Sequence, residues 1–159
     1  PVQPDITRHI HVTRAQIAVF LLKASEGDDH TPPPCTGIFG DVPCPSPFAD
    51  WIEEAAALGI TAGCGNGNYC PDAPVTRAQM AVMSLKTANP GQTPSQAVGI
   101  FADVPVGSFA ADWIEALYEV GGTGGCGLAP LRYCPSAPVT RGQMAALIVN
   151  LFFFCTTGA

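Results

Sequence analysis

One six-residue phrase occurs three times in this chain, and it constrains the fold more than any other feature. It reads VTRAQI at 12–17, VTRAQM at 75–80 and VTRGQM at 139–144. In each copy the Thr and the Gln three residues later are typical of a capping box, and the apolar residues on either side of this pair can form a hydrophobic staple. The phrase therefore predicts three helices, one beginning at the threonine of each copy.

The phrase closes a longer repeat. Residues 37–82 match residues 99–146 almost position for position, apart from two extra residues in a glycine-rich loop. Each copy contains FGDV or FADV, a stretch led by Trp, a glycine loop bracketed by cysteines, and then the VTR phrase. A repeat this long is expected to be a small helical module and not one unit of a thin solenoid.

The stretch led by Trp predicts the first helix of each module. We expect this helix about from Trp51 to Leu58 in one repeat and from Trp113 to Val120 in the other. An Asp before the Trp and a Glu three residues later favour an N-terminal cap, and a Gly after the last residue favours a left-handed C-terminal cap. The predicted cap residues are Asp50, Glu53 and Gly59 in one copy and Asp112, Glu115 and Gly121 in the other.

These elements predict a mainly α fold, a small bundle of helix–loop–helix repeats with disulfide-stapled loops. The phrase at 12–17 has no first half before it. The predicted division is a half repeat at 1–24, a linker at 25–36, a full repeat at 37–86, a linker at 87–97, and a second full repeat with the apolar C-terminus at 98–159.

The capping role leaves the arginine of the phrase unexplained. Arg14, Arg77 and Arg141 each fall at the first helical position, where the helix dipole disfavours a cation by roughly 0.3–1 kcal/mol. A residue placed three times against its local preference is expected to have a negatively charged partner. Two kinds of negatively charged partner are possible. One is a structural ion pair with Asp41 or Asp103, and the other is an anionic ligand.

Seven cysteines in short local spacings, none of them Cys-x-x-Cys, favour a disulfide framework and an oxidising, extracytoplasmic compartment. Cysteines bracket both glycine loops, and two more occur in the first full repeat where the second has Ala97 and Val106. The predicted pairs are Cys35–Cys44, Cys64–Cys70 and Cys126–Cys134. Cys155 is left over, as a buried thiol or as half of a bridge to another chain.

Composition excludes several classes of function. A net charge of -6 with only seven Lys and Arg offers no basic surface for nucleic acid. The longest apolar run, at 144–155, contains Asn150 and is shorter than the roughly 20 residues of a membrane span. The chain carries no Gly-x-Ser-x-Gly elbow, phosphate-binding loop or His-Glu-x-x-His motif, so we predict no enzyme, no metal site and no cofactor.

The order of FxDV, a Trp-led helix, a glycine loop ending in aromatic-x-Pro, and VTRAQ resembles the S-layer homology motif of bacterial surface proteins. The resemblance covers nearly the whole chain after about residue 10, outside the two linkers. It implies a helical pseudo-threefold bundle whose grooves bind acidic, often pyruvylated, cell-wall polysaccharide. The groove residues that it implies, by position, are Asp41, Trp51 and Arg77, then Asp103, Trp113 and Arg141, with Arg14 from the half repeat.

Two non-catalytic functions follow for a secreted or cell-surface protein. The first hypothesis is a structural subunit that assembles head to tail with other copies into a filament or surface array, because the first module is incomplete and heterologous contacts that do not close generate polymers. Cys155, Phe152, Phe153 and Phe154 are the candidate intersubunit residues, although the phenylalanines also fit a last core helix. The alternative is a cell-envelope anchor that binds acidic wall polysaccharide.

Overall fold

The computed structural model describes residues 11–153 and is mainly α, as predicted. Helices and one short hairpin alternate with loops. The elements in this range are α1 (Arg14–Glu26), α2 (Ala49–Ala57), α3 (Arg77–Ala88), α4 (Ala111–Glu119), β1 (Gly127–Leu128), β2 (Leu131–Arg132) and α5 (Arg141–Ile148). A π-helical turn, Val149–Phe153, continues α5. No helix in residues 11–153 has the length and hydropathy that crossing a membrane requires.

Helices α1, α3 and α5 begin where the repeated phrase predicts. In each, the N-cap threonine hydroxyl accepts a hydrogen bond from the backbone N–H of the glutamine, and the glutamine side-chain oxygen accepts one from the threonine N–H. Between Thr76 and Gln79 both bonds measure 3.1 Å. A cap of this kind stabilises a helix by about 1 kcal/mol, so the phrase fixes three helix starts locally.

The predicted caps of α2 and α4 are wrong. Both helices begin two residues before the tryptophan, and their N-cap residues, Phe48 and Ala110, provide no side-chain cap bond. The acidic residues lie inside the helices and bind the preceding segment instead, as described below. The predicted C-terminal glycines are found, since Gly59 and Gly121 have φ of 73° and 76°.

The three copies of the phrase meet in a closed ring of backbone hydrogen bonds. The N–H of Val12 donates to the carbonyl of Val139, that of Val139 to Val75, and that of Val75 to Val12, each at 2.9 Å. All three valines are fully buried. A three-membered cycle of equivalent residues requires an approximate threefold axis, so the chain sets all three phrase helices around one centre.

Two helix pairs pack around this centre, α1 against α2 and α3 against α4. One buried cluster runs through both pairs, including Leu21 and Leu22 of α1, Ile52 of α2, and Ile114 and Leu117 of α4. The same helix face is buried in α1 and α3, at repeat-equivalent positions. The equivalent face of α5, with Ala145 and Val149, is exposed.

Within residues 11–153 three disulfides tie the loops, and they join the pairs that the spacing predicts: Cys35–Cys44, Cys64–Cys70 and Cys126–Cys134. The second glycine loop is two residues longer than the first and contains an antiparallel hairpin, in which Gly127 is opposite Arg132 and Leu128 opposite Leu131. Phe152 is half-buried and Phe153 is exposed, whereas Phe154 and Cys155 lie outside the described residues.

Candidate functional site

Arg14 and Arg77 bind the glycine loop of the module that follows each of them. The Nε–H of Arg14 donates to the carbonyl of Tyr69 at 2.8 Å, and the guanidinium lies 4.7 Å from the Tyr69 ring centroid. Arg77 makes the same two contacts with Tyr133, at 2.7 and 4.6 Å. Both arginines are buried. Each tyrosine hydroxyl returns a hydrogen bond to the carbonyl of its arginine, at 2.8 Å.

Asp41 and Asp103 hold the other side of the same tyrosine residues. The two oxygens of Asp41 accept hydrogen bonds from the N–H groups of Tyr69 and Cys70, both at 2.7 Å. Asp103 accepts from Tyr133 and Cys134, both at 2.8 Å. Cys70 and Cys134 have φ of 59° and 58°, a left-handed conformation that directs two successive N–H groups at one carboxylate.

A direct ion pair was one of the two partners considered for these arginines. Within residues 11–153, neither Arg14 with Asp41 nor Arg77 with Asp103 forms one. Each arginine binds the carbonyl, and each aspartate the N–H, of one tyrosine. The partners also come from different modules, because Arg14 shares its tyrosine with Asp41 and Arg77 shares its own with Asp103. A buried carbonyl dipole and an aromatic face accommodate the cation in place of a formal negative charge.

These contacts set the ionisation of the aspartates. Burial raises the pKa of Asp41, but the backbone hydrogen bonds from Tyr69 and Cys70, together with the charge of Arg14, outweigh burial and lower it below its ordinary value. The pKa of Asp103 is lowered for the same reasons, with Arg132 as the nearby cation. Both residues are thus held as carboxylates.

The glutamates expected to cap α2 and α4 bind the backbone of the segment that begins each full repeat. Glu53 accepts hydrogen bonds from the N–H groups of Thr36, Gly37 and Ile38 at 2.6–3.1 Å. Glu115 accepts three equivalent bonds from residues 98–100 at 2.7–2.8 Å. Burial raises the pKa of each glutamate, and these bonds outweigh it, so the pKa is lowered. Each glutamate fastens the start of a full repeat onto the helix that follows.

Each predicted tryptophan lies beside a lysine of the preceding phrase helix. The Nζ of Lys23 lies 5.7 Å from the Trp51 ring centroid, and that of Lys86 lies 5.7 Å from the Trp113 centroid. In the first module His30 also contacts both Trp51, at 6.0 Å between ring centroids, and Glu54, at 2.8 Å. The tryptophans therefore orient the two lysines at equivalent positions.

A groove with two cations lies where α1, the first glycine loop and α3 meet. We call it the Arg14–Lys86 groove, and it has a volume of about 240 Å³. Its lining consists of Arg14, Ile60, Thr61, Ala62, Gly63, Gln79, Val82, Met83, Lys86 and Phe109. No carboxylate is among these residues, although the chain as a whole carries a net charge of -6. The lining thus carries two cations and no carboxylate on an acidic protein.

Of the seven residues that the resemblance places in grooves between modules, Arg14 is the one that lines the Arg14–Lys86 groove. Trp113 lies in a separate cleft beside Asn89 and Gln92, and Asp103 lines a third hollow with Ser108 and Pro135. Arg141 is exposed and lies 5.8 Å from the ring centroid of Phe20, not against a tyrosine. Lys86 and Thr61 were not predicted. The recurrence of lysine nine residues after both Arg14 and Arg77 was the available signal for Lys86.

Metal binding is not supported at the two acid–cysteine clusters in the described range. Asp41 lies close to the sulfurs of Cys64 and Cys70, and Asp103 lies close to those of Cys126 and Cys134. Both cysteine pairs are disulfides, which provide no thiolate ligand. The cations and amide donors around the Arg14–Lys86 groove are groups that can bind a ligand.

Comparison with known proteins identifies the family of the first full repeat. Residues 39–81 match the S-layer homology domain, so the chain contains a module of that family. This stretch runs from just before Asp41 through the first glycine loop to the start of α3, so it contains the Asp41–Tyr69 contact.

Three relatives align over most of the chain. A cell surface protein of Thermoanaerobacter kivui is 29% identical over 73% of the chain, an exoglucanase of Acetivibrio thermocellus 32% over 68%, and an amylopullulanase of Thermoanaerobacterium thermosulfurigenes 33% over 67%. The chain spans only 15%, 10% and 6% of their respective lengths. The family, the surface-protein relative and the disulfides fit a cell-surface or extracellular protein.

Proposed function

We propose that this chain is a non-catalytic module that attaches a protein to the bacterial cell envelope by binding an acidic wall polysaccharide in the Arg14–Lys86 groove. The observation that carries the proposal is the pair of cations in a groove free of carboxylates on an acidic chain. Such a groove favours an anionic ligand.

The donors in the groove suit a carboxylate on a sugar. Arg14 uses its Nε–H on Tyr69 and one Nη2 donor on Thr61, at 3.4 Å, which leaves further guanidinium donors for a ligand. Gln79 uses its oxygen in the capping box, so its NH₂ group remains a donor. Val82, Met83 and Phe109 provide apolar surface for a sugar ring. Pyruvate ketals, the acidic groups that the family resemblance implies, present the required carboxylate.

Lys86 is the best residue for a test, because Arg14 also holds the fold together. We expect Lys86→Ala to weaken binding to wall sacculi that carry pyruvylated polysaccharide by roughly tenfold, the effect of losing one charge-assisted contact. Lys23→Ala is the matched control, since Lys23 also lies 5.7 Å from a tryptophan centroid but does not line the groove. Sacculi stripped of the polysaccharide should bind neither the Lys86→Ala nor the Lys23→Ala variant. Equal binding by both variants would reject the groove as the site.

Self-assembly is a second candidate, favoured by exposed apolar side chains in the second full repeat. Val98, Phe109 and Leu128 are 80%, 71% and 84% exposed, and Leu128 belongs to the longer glycine loop of the second repeat. A contact with another copy would remove the apolar area of these side chains from water, which favours association. Light scattering of the polysaccharide-free protein should then show large assemblies that Leu128→Ser disrupts. A monomer at high concentration would exclude this candidate.

A further inference from the structure

A second hollow adjoins the Arg14–Lys86 groove and shares a wall with it. Gln79 and Phe109 line both cavities. We call the second cavity the Ser136 hollow. It has a volume of about 450 Å³, and its other polar lining residues are Thr76, Asp103, Ser108 and Ser136. A ligand that fills the groove can therefore continue past Gln79 and Phe109 into this hollow.

Phe109, between the two cavities, is held in an exposed position by a strained backbone. Its side chain is 71% exposed, and the next residue, Ala110, has φ of 63°. A residue other than glycine adopts this left-handed conformation only at an energetic cost, and such residues cluster at ligand-binding sites. The first repeat has Pro47 in place of Phe109, and its Phe48, at the position of Ala110, has φ of -112°. The strained turn and the exposed ring therefore belong to the second repeat and not to the repeat pattern.

The two cavities carry opposite charges. Two cations and no carboxylate line the groove, whereas one carboxylate, Asp103, and no cation line the Ser136 hollow. The N–H groups of Tyr133 and Cys134 bind Asp103 and keep it in its charged form. A second anionic group in the hollow would be repelled by this carboxylate, so the hollow favours an uncharged occupant.

The hydroxyl groups of the hollow can bind those of a sugar. The Thr76 hydroxyl accepts a hydrogen bond from the Gln79 backbone N–H at 3.1 Å, and its own proton can still be donated. The Ser108 hydroxyl donates to the Pro105 carbonyl at 2.6 Å, so its oxygen can still accept. Ser136 lies exposed at the rim. A sugar hydroxyl both donates and accepts, and the hollow therefore offers it partners of both kinds.

We propose that the Ser136 hollow is a second subsite, which binds an uncharged sugar residue linked to the acidic residue in the Arg14–Lys86 groove. Phe109 lies between the two sugar rings and provides apolar surface to both. The proposal rests on the polysaccharide site proposed above and specifies its ligand. That ligand is at least a disaccharide, in which an acidic and an uncharged residue are neighbours.

The direct test compares ligands of different length on the unchanged chain. Partial hydrolysis of the pyruvylated wall polysaccharide supplies a pyruvylated monosaccharide and the disaccharide in which it is linked to an unmodified residue. Calorimetry should show the disaccharide binding at least about tenfold more tightly, because the second ring adds hydrogen bonds and apolar contact. Oxidising the primary hydroxyl of the unmodified residue to a carboxylate should cancel this gain. Equal affinity for the monosaccharide and the disaccharide would overturn the second subsite and leave the groove standing, whereas no binding of either sugar would reject the groove as well.

A matched pair of variants locates the second residue. Ser136→Tyr places a ring in the hollow, and Ser136 does not line the groove. This variant should bind the disaccharide no more tightly than the monosaccharide and should bind the monosaccharide as the unchanged chain does. Asp72→Tyr, at the equivalent exposed position of the first repeat, is the control and should alter neither affinity. The proposal is wrong if Ser136→Tyr keeps the full preference for the disaccharide.

Discussion

Arg77 and Tyr133 bind each other twice across a module boundary. The arginine Nε–H donates to the tyrosine carbonyl at 2.7 Å, and the tyrosine hydroxyl donates to the arginine carbonyl at 2.8 Å. Burial raises the pKa of Tyr133 to about 12, although the charge of Arg77 acts in the opposite direction, so the hydroxyl remains a donor at neutral pH. Arg14 and Tyr69 repeat the arrangement, and the pair is therefore the joint between successive modules.

Removing the Tyr133 hydroxyl should weaken this contact between modules without abolishing it. We expect Tyr133→Phe to lower the free energy of unfolding by about 1 kcal/mol, the net value of one buried hydrogen bond, because the ring and the carbonyl that Arg77 binds both remain. Urea denaturation followed by circular dichroism measures the change. Tyr118→Phe, on the partly exposed outer side of α4, should have an effect near zero. Equal losses in the two variants would show that the hydroxyl bond contributes nothing.

Truncating the arginines should separate their roles. Arg77→Ala leaves the Tyr133 carbonyl without its charged donor, and we expect a loss of about 2–3 kcal/mol. Arg141→Ala removes an exposed side chain of the same phrase, and we expect a change within about 0.5 kcal/mol. The two variants share sequence context and helix position, so each controls for the other. A large loss at Arg141 would mean that the isolated chain already buries it.

Acid should destabilise the fold through four carboxylates. Asp41, Asp103, Glu53 and Glu115 all have a pKa lowered from ordinary values of 3.8 for Asp and 4.5 for Glu. A lowered pKa in the folded state means that the contribution is complete above the ordinary value and is lost as the pH falls through the lowered one. The free energy of unfolding should therefore decline below pH 4.5. In Glu53→Gln with Glu115→Gln the decline should be shallower, and an unchanged slope would contradict this assignment.

Two glycine-to-alanine substitutions should change the stability of the fold in opposite directions. Gly63 has φ of 83°, and a Cβ there would lie 2.5 Å from the Asn68 carbonyl oxygen, so Gly63→Ala should destabilise by at least about 1 kcal/mol. Gly142 lies in the first turn of α5, where a Cβ would meet no atom within 4 Å, and α1 and α3 have alanine there. Gly142→Ala should stabilise by about 0.5 kcal/mol. Thermal melts of the two variants show whether each melting temperature rises or falls. A lower melting temperature for Gly142→Ala would contradict the finding that a Cβ at this position meets no atom within 4 Å.

The sequence by itself determined the local features of this protein. The capping boxes, the left-handed glycines after α2 and α4, and the disulfide pairs depend on residues a few positions apart, where spacing alone limits the possible contacts. The repeat also indicated that equivalent residues would recur in each module. These are short-range interactions, and their energies are similar in any fold that contains the segment.

Tertiary structure decided which partner each functional residue meets. Arg14 and Tyr69 are 55 positions apart, and nothing in their spacing shows that the arginine selects a carbonyl of the next module over a carboxylate. Glu53 was expected to cap its own helix, yet residues 36–38 fold back and present three N–H groups to it. A buried donor takes the nearest acceptor that the packed chain provides, and packing around the valine ring, not local preference, brings that acceptor close.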